Sequence, residues 1–171
     1  MSTPSPPALD RARSQVGRLR YVLGAGGRDP ESPHPGDATG GCDCSGFVCW
    51  ALGFDRKQPG FAGYSWVSTD SLVAISRKPD NGWFEEIVRP EVGCLVVYPG
   101  QHRAGKRVRI GHVGLVSGVP AEWEPGQHKA LRVIHCSMGN QRRTGKAVQE
   151  TDGGAWVGKG SMFLRYVRRG D

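Results

Sequence analysis

The sequence has no long hydrophobic run. Its apolar stretches are short, as in residues 95–98, and 23% of its 171 residues are charged. A helix that crosses a bilayer needs about 20 consecutive apolar residues, so we exclude a membrane-spanning protein. Residues 1–7 also have neither the basic start nor the apolar stretch of a secretory signal. We therefore expect the chain to be made in the cytoplasm without a signal peptide.

The sequence also lacks an even set of cysteines that could pair in disulfides. It has five, and thiols in a reducing compartment are more often free, catalytic or metal-binding than paired. A structural zinc site needs four ligands in pairs such as Cys-x2-4-Cys, whereas a single residue separates Cys42 from Cys44. We expect no metal and no cofactor, and we expect Cys49, Cys94 and Cys136 to be packing residues.

Acidic residues are in the minority. The chain has 23 Lys and Arg against 16 Asp and Glu, a formal net charge of +7. This excess suits an acidic partner, which could be a nucleic acid, an anionic membrane surface or an anionic cell-wall polymer. The basic residues are scattered, and no aromatic ladder that could stack bases lies between them. The pattern therefore does not favour a nucleic-acid-binding protein.

The length suits one domain, with a disordered tail at residues 1–8 and the domain at residues 9–171. Apolar residues three and four positions apart predict a first helix over residues 9–23. A second helix is predicted to start beside Cys44, with Asp43 or Ser45 as its cap and Gly53 as its stop. A third is predicted over residues 69–76.

The second half of the chain is rich in strand-forming residues. Short β-rich runs separated by Gly and Pro turns predict strands over residues 95–98, 113–116, 131–135 and 163–167. The intervening residues 99–110 are expected to be a basic loop. Helices followed by strands predict an α+β domain with an antiparallel sheet.

Three residues of this pattern suit nucleophilic catalysis. Cys44 lies at a predicted helix start, where unpaired backbone N–H groups and the helix dipole favour a thiolate, and Gly46 keeps the first turn narrow for an approaching carbonyl. His112 and His135 lie on predicted strands and would meet if those strands are neighbours. A thiol, an imidazole that takes its proton and a third group that orients the imidazole make up a papain-like site.

Residues 43–48 (DCSGFV), 111–115 (GHVGL) and 133–135 (VIH) resemble, in the same order, the three motifs of the NlpC-type papain-like cysteine peptidases. Residues 21–27 (YVLGAGG) resemble the tyrosine and glycine segment that precedes the nucleophile in that family. The likeness covers about residues 9–167. It implies a papain-like α+β fold in which N-terminal helices, with the nucleophile at a helix start, pack on an antiparallel β-sheet.

The resemblance also implies a function. The expected reaction is hydrolysis of peptidoglycan stem peptides between D-glutamate and the following diamino acid, through a thioester. Cys44 would be the nucleophile, His112 the base and acid, His135 the orienting residue, and Tyr21 a hydroxyl near the thiol. The side chains or amides of the remaining candidates would border the substrate or form the oxyanion region: Asp43, Ser45 and Trp66.

The expected partner is peptidoglycan. Without a signal peptide, the chain would reach the periplasm or cell wall through phage-type or secretion-system delivery, with the delivery machinery or an immunity protein as a further partner. Cys42 is the alternative nucleophile. The alternative functions are a thiol amidase or acyltransferase on the same scaffold, and a non-catalytic protein that binds the cell wall or a polyanion.

Overall fold

The structure, a computed structural model, describes residues 6–168. Within this range the helices are α1 (Pro6–Ser14), α2 (Cys44–Leu52), α3 (Thr69–Ser76) and α4 (Met138–Thr144). The strands are β1 (Arg20–Tyr21), β2 (Gly41–Cys42), β3 (Phe84–Ile87), β4 (Leu95–Tyr98), β5 (Gln101–Arg103), β6 (Lys106–Arg109), β7 (His112–Gly118), β8 (Arg132–Cys136), β9 (Val148–Asp152) and β10 (Met162–Tyr166). Two 3-10 helices lie at His128–Ala130 and Gly153–Trp156.

Six strands form one sheet in the order β3-β10-β4-β7-β8-β9, and every neighbouring pair is antiparallel. The predicted α+β class with an antiparallel sheet is confirmed. In the central pair, Leu115 of β7 lies opposite Ile134 of β8. This register places the start of β7 beside the end of β8, so the side chains at these two strand ends lie at the same end of the sheet.

Both faces of the sheet are covered. One face packs under the helices and buries residues such as Phe47 of α2 and Leu115 of β7. The opposite face buries a second cluster that includes Trp123, Val133 and Trp156. Because the strands are covered on both sides, they read as continuous apolar runs rather than as alternating patterns. Among residues 6–168, no helix has the length and hydropathy that a membrane span requires.

Helices α2 and α3 begin and end where their local signals predict. The carboxylate of Asp43 accepts a hydrogen bond from the Gly46 N–H at 2.8 Å and caps α2, and Gly53 ends it in the left-handed conformation with φ of 83°. The side chain of Ser68 caps α3. Gly46 has a different role from the one expected, because a Cβ atom there would lie 2.7 Å from the Ala25 carbonyl oxygen. Its small size admits the neighbouring loop, not the substrate.

The first helix differs from its prediction over residues 9–23. It begins at Pro6, inside the predicted tail of residues 1–8, and ends at Ser14; the rest of that tail lies outside the described residues. Gly17 and Leu19 adopt positive φ angles of 78° and 64°, which a helix does not allow. The chain instead donates from the Gly17 N–H to the Val148 carbonyl at 2.9 Å and accepts from Val148 at the Arg18 carbonyl at 3.2 Å. These long-range hydrogen bonds outweigh the helical apolar pattern.

The region expected to be a basic loop, residues 99–110, is a two-stranded hairpin. Strands β5 and β6 pair antiparallel, and nearly all of their residues are exposed. The apolar pattern gives no signal for such a hairpin because neither face is buried. The edge strands β3 and β9 and the helix α4 were also not predicted, since their sequences are largely polar.

Candidate active site

Cys44 is the first residue of α2, and its sulfur faces two backbone amides. The N–H groups of Ser45 and Val113 both lower the pKa of this thiol. Val113 follows His112 directly in β7, so the contact brings the start of β7 to the start of α2. Within residues 6–168, however, no hydrogen bond joins the Cys44 thiol to the His112 ring, and catalytic hydrogen bonds commonly tighten only when substrate binds.

The Cys44 thiol is neutral in the resting site. Its side chain is buried, with the residue 4% exposed, and burial raises the pKa of the thiol to about 12, with a smaller contribution from the Asp43 carboxylate. The amides of Ser45 and Val113 act in the opposite direction but do not outweigh burial. A thiol in this state needs a base to take its proton before the sulfur can act as a nucleophile.

His112 and His135 are in direct contact, as predicted from their strands. The Nε2 atom of His112 lies 2.8 Å from the Nδ1 atom of His135. Trp156 stacks on the His112 ring, with centroids 5.0 Å apart and planes at 21°, and its edge also meets His135. The tryptophan thus fixes the plane of His112. Because His135 contacts Nε2 of His112, the other ring nitrogen, Nδ1, remains available.

Both imidazoles are held in their neutral form. Burial lowers the pKa of His112 to about 4, and the Asp43 carboxylate acts in the opposite direction. Burial, together with the neighbouring His112 and Arg143, lowers the pKa of His135 to about 2. These shifts favour an uncharged thiol and two uncharged imidazoles at neutral pH, and a neutral imidazole is the form that can take a proton.

A cleft of about 220 Å³ opens beside Cys44, which lines it. It is lined by all the residues that the sequence assigned to the substrate region: Tyr21, Asp43, Ser45 and Trp66. The Tyr21 side chain is half-buried, and burial and the nearby Cys44 both raise the pKa of its hydroxyl. Its hydroxyl is therefore protonated and can donate a hydrogen bond. Arg107, from the exposed hairpin, and Asp70 also line this cleft, and neither was predicted.

Asp43 and Ser45 are held by Arg56, a residue that the sequence did not single out. The Arg56 guanidinium lies 2.9 Å from one Asp43 carboxylate oxygen and donates to the Ser45 hydroxyl at 2.7 Å. It also lies over the ring of Trp66, 4.3 Å from its centroid. The Asp43 and Ser45 side chains are thus structural supports of the turn that carries Cys44.

The remaining cysteines are buried, as expected for packing residues. Cys42 is fully buried in the core and does not line the cleft, so its position does not favour the alternative nucleophile. Cys136 donates from its thiol to the Cys42 carbonyl at 3.2 Å. Over residues 6–168, no three His, Cys, Asp or Glu side chains are grouped so that they could hold a metal ion.

The histidine pair makes the stability of the fold depend on pH. Folding lowers the pKa of both rings below the ordinary 6.5, so the unfolded chain takes up protons before the folded chain does. The stabilisation is complete above about pH 6.5 and is lost as the pH falls toward the folded pKa values, by about 1.4 kcal/mol per pH unit for each ring. Urea unfolding followed by tryptophan fluorescence at several pH values will measure this slope. The His135→Asn variant should have a shallower slope, and equal slopes would contradict the expectation.

The comparisons with known proteins give one match. A family model described as CHAP domain matches residues 33–135, a range that contains Cys44, His112 and His135. No curated protein and no solved structure matches the chain.

Proposed function

The chain belongs to the CHAP domain family and is therefore a papain-like, cysteine-dependent peptidase or amidase that acts on peptidoglycan; we propose that it is an endopeptidase that cleaves stem peptides between D-glutamate and the following diamino acid. The observation that most supports a thiol hydrolase is the arrangement of Cys44, His112 and His135 at one end of the sheet. Cys44 lies at a helix N-terminus and contacts the backbone N–H of Val113, the residue after His112, and His135 contacts His112 at 2.8 Å.

The reaction proceeds in two steps. His112 takes the proton of the Cys44 thiol as the sulfur attacks the substrate carbonyl carbon, and the negative charge passes to the carbonyl oxygen. The backbone N–H of Cys44 at the start of α2 and the Tyr21 hydroxyl are the donors that we assign to that oxygen. His112 then gives its proton to the leaving amine as the C–N bond breaks and a thioester forms. Water, deprotonated by His112, attacks the thioester carbonyl, and the proton returns to the Cys44 sulfur as the acid is released.

One cation of the cleft is available to a substrate that carries carboxylates. Arg107 lines the cleft from the hairpin, where none of its neighbours on β5 and β6 is acidic, and Asp70 is the acidic residue that lines the same cleft. The buried charge of Asp43 is neutralised by Arg56 at 2.9 Å. A D-glutamate linked through its side chain keeps a free α-carboxylate beside the scissile bond, and Arg107 is the cation placed to bind it.

Digestion of purified peptidoglycan, with mass analysis of the released fragments, will test the proposed bond. We expect fragments that end at D-glutamate and new amino groups on the diamino acid. The Cys44→Ala variant should release none. The matched control is Cys42→Ala, which removes a buried thiol two residues away and should cut at the same bond.

Other outcomes would contradict the proposal in distinct ways. Release of intact stem peptides from the glycan would identify an amidase and overturn the endopeptidase assignment. Equal fragment release by the wild type and Cys44→Ala would overturn the assignment of the nucleophile, and loss of activity in Cys42→Ala alone would transfer that role to Cys42.

A further inference from the structure

The hydroxyl of Thr151 contacts the ring nitrogen of His135 that does not contact His112. Thr151 is in β9, the edge strand that pairs with β8, and its Oγ1 atom lies 2.9 Å from His135 Nε2. The same hydroxyl donates its only proton to the Asp152 carbonyl at 2.8 Å. With that proton committed, Thr151 Oγ1 can only accept from His135, so the hydrogen of that ring is on Nε2.

Asn140 is the other polar side chain close to His135 Nε2, and it does not supply a proton there. Its amide nitrogen donates to the His135 carbonyl at 3.1 Å and to the Ala147 carbonyl at 3.2 Å, which uses both amide protons. The remaining separation from His135 Nε2 is 3.4 Å. The acceptor for the His135 Nε2 proton is therefore the Thr151 hydroxyl.

We propose that Thr151 is a positioning residue that sets the tautomers of both histidines and thereby makes His112 a base toward Cys44. This inference rests on the proposed roles of Cys44, His112 and His135. With the proton of His135 on Nε2, its Nδ1 must accept, so His112 carries its proton on Nε2 and donates it across the 2.8 Å contact. The Nδ1 atom of His112 is then unprotonated and free to take the thiol proton.

The opposite arrangement would disable the site without moving any heavy atom. If His135 carried its proton on Nδ1, it would donate to His112 Nε2, and the proton of His112 would be on Nδ1, the one ring nitrogen that His135 leaves available. A ring in that state cannot accept the thiol proton. Since both imidazoles are neutral, the choice between the two tautomers depends on the outer hydrogen bond that Thr151 makes.

The Thr151→Val variant tests this role because valine keeps the shape and the β-strand preference of threonine but cannot accept a hydrogen bond. We expect kcat on a soluble stem peptide to fall by about 10- to 100-fold, the range seen when the hydrogen-bond partner that orients a metal-bound imidazole is removed, with KM unchanged. The Thr151→Ser variant keeps the hydroxyl and should restore most of kcat.

The 15N chemical shifts of the ring nitrogens provide a readout that does not depend on substrate, because they distinguish protonated from unprotonated nitrogen. We expect Nε2 to be protonated in both rings of the wild type, and a mixture of tautomers in Thr151→Val. Wild-type protonation of His135 at Nδ1 would overturn the proposal, as would an unchanged kcat in Thr151→Val, a loss of kcat with unchanged tautomers, or a failure of Thr151→Ser to restore activity. If the protein cuts a different bond, the proposed function fails, while the nitrogen shifts still decide the role of Thr151.

Discussion

Replacement of His112 by alanine is expected to lower kcat/KM on peptidoglycan stem peptides by about a thousandfold or more, the scale on which removal of a catalytic base acts. The reason lies in the resting state of Cys44, the proposed nucleophile. Burial raises the pKa of the Cys44 thiol to about 12, which favours its protonated form at neutral pH. Without a neutral imidazole to take the proton, attack on the carbonyl has no low-energy route.

The matched control for this variant is His34→Ala. His34 is an exposed histidine in the loop before β2, so its replacement removes an imidazole without altering the site, and activity should stay at the wild-type level. Because His112 packs on Trp156, the stability of His112→Ala must be measured by urea unfolding alongside the kinetics. A folded His112→Ala protein that retains more than about a tenth of the wild-type kcat/KM would contradict the role of His112 as the base.

Much of the site could be predicted because its signals are local. The Asp43 cap, the apolar residues after Cys44 and the Gly53 stop all lie within one short segment, and together they define α2 without any tertiary contact. The positions of His112 and His135 required one further assumption, that their strands are neighbours, and the antiparallel register of β7 and β8 satisfies it.

The supports of the site could not be predicted because their partners are distant in sequence. Thr151 reaches His135 from a polar edge strand, where residues 148–152 (VQETD) carry little apolar alternation. Nothing in the sequence distinguishes Trp156 from the other tryptophans. Only the fold shows that it stacks on His112. Helix α1 was predicted too long for the same reason. Its apolar pattern continues beyond Ser14, but hydrogen bonds to Val148, which is distant in sequence, end the helix.

Arg56 is the support with the largest expected effect on stability. The residue is 1% exposed, and its guanidinium donates to the carbonyls of Ala25 at 3.0 Å and Val67 at 3.3 Å as well as contacting Asp43 and Ser45. It therefore ties the loop before β2 and the segment before α3 to the first turn of α2. An apolar side chain in its place would leave the Asp43 carboxylate buried without a countercharge.

We expect the Arg56→Met variant to lower the free energy of unfolding by about 3 to 5 kcal/mol, the cost of removing one partner of a buried ion pair. The Arg56→Lys variant keeps the charge but loses most of the hydrogen bonds. Its free energy of unfolding should therefore fall by less than that of Arg56→Met. Urea unfolding followed by tryptophan fluorescence will measure both variants, and Arg56→Lys keeps the test decisive if Arg56→Met does not fold.

The matched control is Arg28→Met, because Arg28 also pairs with a carboxylate and also lies near the Trp66 ring. Its ion pair with Asp55 spans 3.1 Å, but the Arg28 side chain is 48% exposed, and exposed pairs contribute about 1 kcal/mol or less. The double variant Asp43→Asn/Arg56→Met should recover part of the stability lost in Arg56→Met, since the uncompensated charge is gone. Equal losses in Arg28→Met and Arg56→Met, or no recovery in the double variant, would mean that burial of the Asp43 charge is not what makes Arg56 necessary.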